Sequence, residues 1–301
     1  MVGLLAVVII LAGCAAKQQE TVKAGFVPAA YYLPFYVAIE NGYFEEERLQ
    51  LEKIDFGSVS NQVNALIHGD IDITALGSGG GFPLEAKQPN QFKYIYGQNS
   101  KSYAFLVKKN SKINEIKDLG GKRIGTWPSP ISTTFIKLIT KKYFDEDKYT
   151  LVHLDHKFHP SALDRGDVDA LYASDITIAM TLNSNIGEYL AENPLEDDVL
   201  NPFFNGGGII SSKTDPEKAQ KIKRAMNKAV VFTQQNPEES RRILAKVMGI
   251  DLEIAKQAPV DEFKTIEQLD MQKAQEVADI LYEEGLMEKP INVQDVFYDE
   301  K

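Results

Sequence analysis

One pattern occurs twice in this chain, 97 residues apart, and it constrains the fold more than any other feature. Residues 65–72 read ALIHGDID and residues 162–169 read ALDRGDVD, both of the form A-L-x-x-G-D-[I/V]-D. Upstream, Lys23-Ala24-Gly25-Phe26-Val27-Pro28 resembles Arg123-Ile124-Gly125-Thr126-Trp127-Pro128, 100 residues on. Two patterns in one order and nearly one register predict a duplicated unit. In the first copy a helix runs out at His68, and Gly69 supplies the left-handed residue that caps it. Ile71, Ile73 and Ala75 then alternate with Asp72 and Thr74, as a short strand does. Leu76-Gly77-Ser78-Gly79-Gly80-Gly81 reads as the loop at the strand end, where backbone can approach a ligand closely. In the second copy Gly166 is the cap, Val168 to Tyr172 the strand and Ala173-Ser174-Asp175 the loop.

Residues 35–48, 58–68, 131–143 and 160–165 read as helices between these strands. Alternating strands and helices predict an α/β fold, with parallel sheets covered on both faces. Ligands of such sheets bind beyond the carboxyl ends of the strands. Two copies therefore predict two lobes, each on a doubly wound sheet, with a cleft between them. The strand Tyr103–Lys108 ends at Asn110-Ser111, where the second lobe opens; it closes near the glycines at 206–208. Helices at 215–236, 238–248, 251–257 and 270–285 then pack back on the first lobe, with Pro216 just inside the start of the first of them. The expected division is residues 21–107 with 205–301 for lobe one and 108–204 for lobe two. Two crossings between lobes make a hinge.

Composition narrows the function classes. Lys plus Arg number 33 against 43 Asp plus Glu, a net charge of −10, which disfavours a nucleic-acid partner. The single cysteine, Cys14, excludes an intrachain disulfide and argues against a cysteine-ligated metal. Residues 1–12 form an uncharged apolar run, shorter than the roughly 20 residues a spanning helix needs but suited to a secretory signal core. Leu11-Ala12-Gly13-Cys14 resembles the bacterial lipobox. That resemblance implies a signal peptide and tether over residues 1–20, lipidation at Cys14 and attachment to a membrane surface.

The ordered motifs carry a wider resemblance. Gly25-Phe26 leading to Glu40-Asn41-Gly42-Tyr43-Phe44, both copies of the repeated pattern, and Ile116-Lys117-Asp118-Leu119-Gly120-Gly121-Lys122-Arg123-Ile124-Gly125 are similar to the solute-binding lipoproteins of ABC importers. The group in question handles nitrate, sulfonates, taurine and thiamine-pyrimidine precursors. The resemblance covers roughly residues 21–285. It implies a type II periplasmic-binding-protein fold and a monomeric, extracytoplasmic protein without a cofactor. Its partners would be a small solute, a permease and the ATPase of that permease. A thiamine-pyrimidine-synthase-like enzyme on the same fold and an adhesive or structural lipoprotein are the alternatives. The enzyme of that family depends on iron and a cysteine-rich segment, and no cysteine follows residue 14 here.

Five segments are expected to face the cleft: Phe26 with Tyr31 and Tyr32; Gly77 and Ser78; Trp127, Ser129, Ser132 and Thr133; Tyr172 and Asp175; and Asn205. Trp127 is the only tryptophan and sits in a loop. The hydroxyls either cap helices or, with free N–H groups at helix starts, bind a polar or anionic group. Asp175 disfavours an anionic solute unless it merely caps the helix after it, and these loops hold no arginine, with only Lys101 near by. This favours a flat, neutral or weakly basic heterocycle over a sulfonate or nitrate. His153, His156 and His159 have the look of a metal cluster, but a strand entering a loop would point His153 and His156 to opposite faces. No metal is expected there, and His159 remains a candidate for the cleft wall.

Overall fold

The computed structural model describes residues 19–27, 29–145 and 148–299. The apolar run and Cys14 lie outside these residues, so the signal and lipidation readings rest on sequence. None of the described helices is long and apolar enough to cross a membrane.

Elements follow in the order β1 (Glu20–Phe26), α1 (Leu33–Glu40), α2 (Tyr43–Glu46), β2 (Leu49–Asp55), α3 (Val59–His68), β3 (Ile73–Gly77), α4 (Ser78–Lys87) and β4 (Phe92–Asn99). The chain then crosses to β5 (Tyr103–Lys108), β6 (Arg123–Thr126), α5 (Pro130–Thr140), β7 (Thr150–His153), α6 (His159–Arg165), β8 (Ala170–Ser174), α7 (Asp175–Asn183), β9 (Gly187–Glu192) and α8 (Pro194–Asp198). It returns as β10 (Phe204–Ser211), α9 (Pro216–Gln235), α10 (Pro237–Met248), α11 (Leu252–Gln257), β11 (Glu262–Thr265) and α12 (Met271–Glu283).

Two sheets result, in the orders β11-β4-β10-β3-β1-β2 and β7-β6-β8-β5-β9. The doubly wound part is parallel, β2-β1-β3 in one and β7-β6-β8 in the other. Each sheet also takes in antiparallel the strand that has just crossed from the other, β10 beside β3 and β5 beside β8. The sheets are therefore mixed rather than purely parallel, because a strand arriving from the opposite lobe runs against those already there.

The repeated pattern has one structural meaning in both halves. Gly69 and Gly166 cap α3 and α6 in the left-handed region, at φ 81° and 74°. Beyond each cap the last aspartate of the pattern clasps the first strand of its half. Lys23 N–H donates to Asp72 Oδ2 at 2.9 Å, and Arg123 N–H donates to Asp169 Oδ2 at 2.8 Å. The Asp72 and Asp169 N–H groups return bonds of 2.8 Å to the carbonyls of Lys23 and Arg123.

Two expectations are corrected. The helix expected over 35–48 is two helices, broken where Gly42 turns left-handed at φ 71°. Ser78-Gly79-Gly80-Gly81 is the first turn of α4 and not a loop. Glycine is needed there for space: a Cβ on Gly81 would lie 2.1 Å from the Tyr94 hydroxyl oxygen.

One apolar cluster packs Phe26, Tyr32, Phe35 and Tyr36 between the first sheet and α9 and α10. A second is continuous across both sheets, joining Phe82 and Phe204 to Phe105, Phe135 and Phe203. Beside it Glu284, just past α12, bridges Lys137 of α5 and Lys141 just beyond its end, at 2.9 and 3.2 Å.

Candidate functional site

The carboxyl ends of β1, β3, β6 and β8 meet at the junction of the two sheets, beside the crossovers at 100–102 and 201–203. The first turns of α4 and α5 touch there, so that a Cβ on Gly79 would stand 2.4 Å from the Ile131 side chain. Gly77 lies against the Asn205 carbonyl, and a Cβ there would meet it at 3.4 Å. Trp127 forms a near-parallel set with Tyr103 and Tyr172, centroids 5.8 and 5.7 Å away and planes within 18°. His156 stacks on the same indole at 5.4 Å.

The expected residues divide into three roles. Phe26 is 1% exposed inside the aromatic cluster, and Tyr32 is buried with its hydroxyl bonded to Thr74 and accepting from Gln62. Both are core; Tyr31, half-buried against Tyr32, stands nearer the cleft. Ser129 Oγ accepts from Ile131 N–H and caps α5. Ser132 Oγ donates to the carbonyls of Trp127 and Ser129 at 2.8 and 2.9 Å, and Thr133 also donates to Ser129. These three hydroxyls shape the loop that carries Trp127. The Ser78 and Tyr172 hydroxyls are buried without a partner among the described residues. Buried hydroxyls are normally bonded, so this pair can serve an incoming acceptor.

Asn205 is spoken for: its Nδ2 donates to Asp261 at 2.6 Å and its Oδ1 accepts from the Tyr103 hydroxyl at 3.4 Å. Asp175 does not cap α7. It is the first helical residue, Ser174 holds the cap position, and no side-chain cap bond is made. Its φ of 45° is an uncommon conformation for a non-glycine residue, of the kind that concentrates at functional sites. Burial, reinforced by the nearby Asp261 carboxylate, pushes its carboxyl well above the usual range.

Arg241 of α10 opposes that shift, and burial in turn holds its own guanidinium below the ordinary arginine value. The Arg241 Nη1 donates to the carbonyls of Ala255 and Ala258 at the end of α11. The cleft loops hold no arginine, but Asp175 has one within electrostatic reach all the same. The cation comes from the returning chain, not from the cleft loops, and the preference for a heterocycle loses its physical ground. Sequence reading also missed Tyr103 and Asp261. The alternation Tyr103, Phe105, Val107 in β5 was an available signal for Tyr103.

The histidines separate. His159 is fully buried, its Nε2 3.1 Å from the Leu154 carbonyl and its ring centroid 5.3 Å from that of His156. Burial first, then His156, lowers its pKa to about 4. His153 Nδ1 lies 3.4 Å from the Trp127 carbonyl. Among the described residues no group of three His, Cys, Asp or Glu could hold a metal ion. A groove of about 590 Å³ on the outer face of α9, lined by Tyr43, Asn227 and Phe232, lies apart from this cluster. Its rim cations Arg224 and Lys228 are already paired with Glu47 and Glu46.

Comparison with known proteins identifies the fold. A putative aliphatic sulfonates-binding protein of Bacillus subtilis (strain 168) is 25% identical over 98% of this chain and 93% of its own. The crystal structure of the periplasmic aliphatic sulphonate binding protein SsuA from Escherichia coli superposes with a TM-score of 0.76 at 19% identity, covering 93% of this chain and 97% of that one. The desulfurization enzyme DSZB superposes at 0.73 and 15% identity, over 93% and 97%. The fold is thus that of periplasmic binding proteins, and the fold alone does not separate binding from catalysis. The B. subtilis and E. coli proteins are described by aliphatic sulfonates, and none of the three relatives supports the heterocyclic vitamin precursor expected above. The sequence model of the NMT1/THI5-like family matches residues 29–240, and the chain belongs to that family.

Proposed function

We propose that this chain is the extracytoplasmic solute-binding component of an ABC importer, taking an aliphatic sulfonate between two lobes and delivering it to the permease. The observation that carries the reading is the pair of buried hydroxyls of Ser78 and Tyr172, unpartnered among the described residues. Ser78 opens α4, whose N-terminal N–H groups have no side-chain cap, an arrangement suited to an oxyanion. Trp127 and Tyr31 supply apolar surface for the alkyl chain. Arg241 offsets part of the Asp175 charge that would otherwise repel the solute. The B. subtilis relative, matched over nearly its whole length, supports the same class.

Residues 21–107 with 205–301 form one lobe in this reading and 108–204 the other, closing about the two crossovers. Contacts made from both sides only in the shut form drive closure. Lipidation at Cys14 would hold the protein at the membrane face where the permease lies.

Titration calorimetry with linear alkanesulfonates from methane- to hexanesulfonate, and in parallel with pyrimidines, tests the proposal. Saturable sulfonate binding with compaction in solution scattering is expected. Tight pyrimidine binding with no sulfonate binding overturns it.

A further inference from the structure

Asp261 precedes β11, far in sequence from every cleft loop, yet it is 4% exposed and meets both crossovers at once. Its Oδ1 accepts from Lys101 N–H at 3.0 Å, and Ser102 donates from both its backbone and its hydroxyl; all three donors belong to the first crossover. Its Oδ2 accepts from Asn205 Nδ2 at 2.6 Å, where the second crossover enters β10. Asn205 in turn accepts from the Tyr103 hydroxyl, and the Tyr103 ring stacks on Trp127 and Tyr172. A carboxylate this buried is held only by being fully bonded, and its donors come from the two segments about which the lobes would turn.

We infer that Asp261 is a positioning residue for solute capture: it ties the two crossovers together and, through Asn205 and Tyr103, holds the Trp127 ring in its binding orientation. The inference rests on the reading of the cleft as a solute site. Asp261 does not itself reach the solute; it sets the geometry of the residues that do. Its charge is matched to donors on two separate segments. Removing the side chain therefore releases Asn205 and the first crossover together.

The only tryptophan in the chain sits at the end of this relay, so its fluorescence reports the relay with or without a solute. Asp261→Ala in the full chain is compared with the wild type and with Asp72→Asn, which disturbs a clasp of the first sheet away from the crossovers. Acrylamide quenching of Trp127 is expected to rise about twofold in Asp261→Ala, from a ring no longer held face-on. Hexanesulfonate binding is expected to weaken by about tenfold or more, the scale of a lost charge-assisted bond. Asp261→Asn keeps an acceptor for Lys101 and should recover part of both losses. Asp72→Asn should lower the melting temperature with quenching and affinity unchanged.

Wild-type quenching in a folded Asp261→Ala protein overturns the inference, as does a loss of melting temperature matched by Asp72→Asn with no difference in quenching. If the wild type binds no sulfonate, the sulfonate reading fails, and the quenching comparison still decides the role of Asp261.

Discussion

Gly79→Ala tests whether the contact between α4 and α5 opens and closes. The added Cβ would stand 2.4 Å from both Cγ1 and Cδ1 of Ile131, on the helix that opens the other lobe. Carbon atoms pack at about 3.5–4.0 Å, so this contact lacks about 1 Å of room. Overpacking of this kind costs about 1–3 kcal/mol when it cannot be relieved. A moving interface relieves it by staying ajar, and the whole cost then falls on binding, a loss of about 5- to 150-fold in Kd. Stability should hold or rise slightly, because alanine in a helix is favoured over glycine by about 0.5–1 kcal/mol. Gly81→Ala is the control. Its Cβ would clash at 2.1 Å with the Tyr94 hydroxyl inside the first lobe, where opening offers no escape, so its melting temperature should fall. Calorimetry with hexanesulfonate, thermal melts and solution scattering of both variants make the comparison. A Gly79→Ala protein that melts early and binds normally would refute the reasoning and make the contact part of one rigid body.

Four further outcomes follow from the same geometry. His159 is neutral when folded, with a pKa of about 4 against about 6.5 unfolded. The unfolded chain therefore binds the extra proton first, and stability should fall as pH drops from 6.5, by about 3 kcal/mol at pH 4; urea titrations of His159→Gln should show a shallower decline. Asp72→Asn should cost about 2–3 kcal/mol and Asp169→Asn about 1. The Lys218 partner of Asp72, at 2.7 Å, is 15% exposed, whereas the Arg123 partner of Asp169 is 45% exposed, and equal losses in urea titrations would contradict that distinction. The Asp175 carboxyl holds its proton above the usual range, and a bound sulfonate favours the protonated form further. Sulfonate affinity should therefore rise as pH falls, with a flat profile in Asp175→Asn by calorimetry. Trp127→Ala should weaken hexanesulfonate binding by about tenfold in calorimetry and also lower the melting temperature, because its stacks on Tyr103, Tyr172 and His156, about 0.5–1.5 kcal/mol each, are lost from the folded protein.

What was legible in the sequence is what depends on neighbours along the chain. Gly69 and Gly166 announce the ends of α3 and α6 because a left-handed cap needs glycine in its own turn. The strand Tyr103–Lys108 and the helices after Asp215 carry their own periodicity and cap. The antiparallel entry of β10 and β5 was hidden because it is set by strands far apart in the chain. The site divides along the same line. Trp127, Ser78, Tyr172 and Asp175 lie at strand ends that the repeat itself locates, whereas Arg241 and Asp261 come to the cleft only because the returning chain folds back on the first sheet. That difference reverses a conclusion about charge. Judged from its own loop, Asp175 is a lone carboxylate, and a lone carboxylate refuses an anion. In the folded chain it feels both the Asp261 carboxylate and the Arg241 guanidinium, its proton is held more tightly than usual, and two hydroxyls unpartnered among the described residues lie near by. In the proposed reading the sign of the solute depends on residues more than sixty positions away, which no reading of the loop alone could weigh.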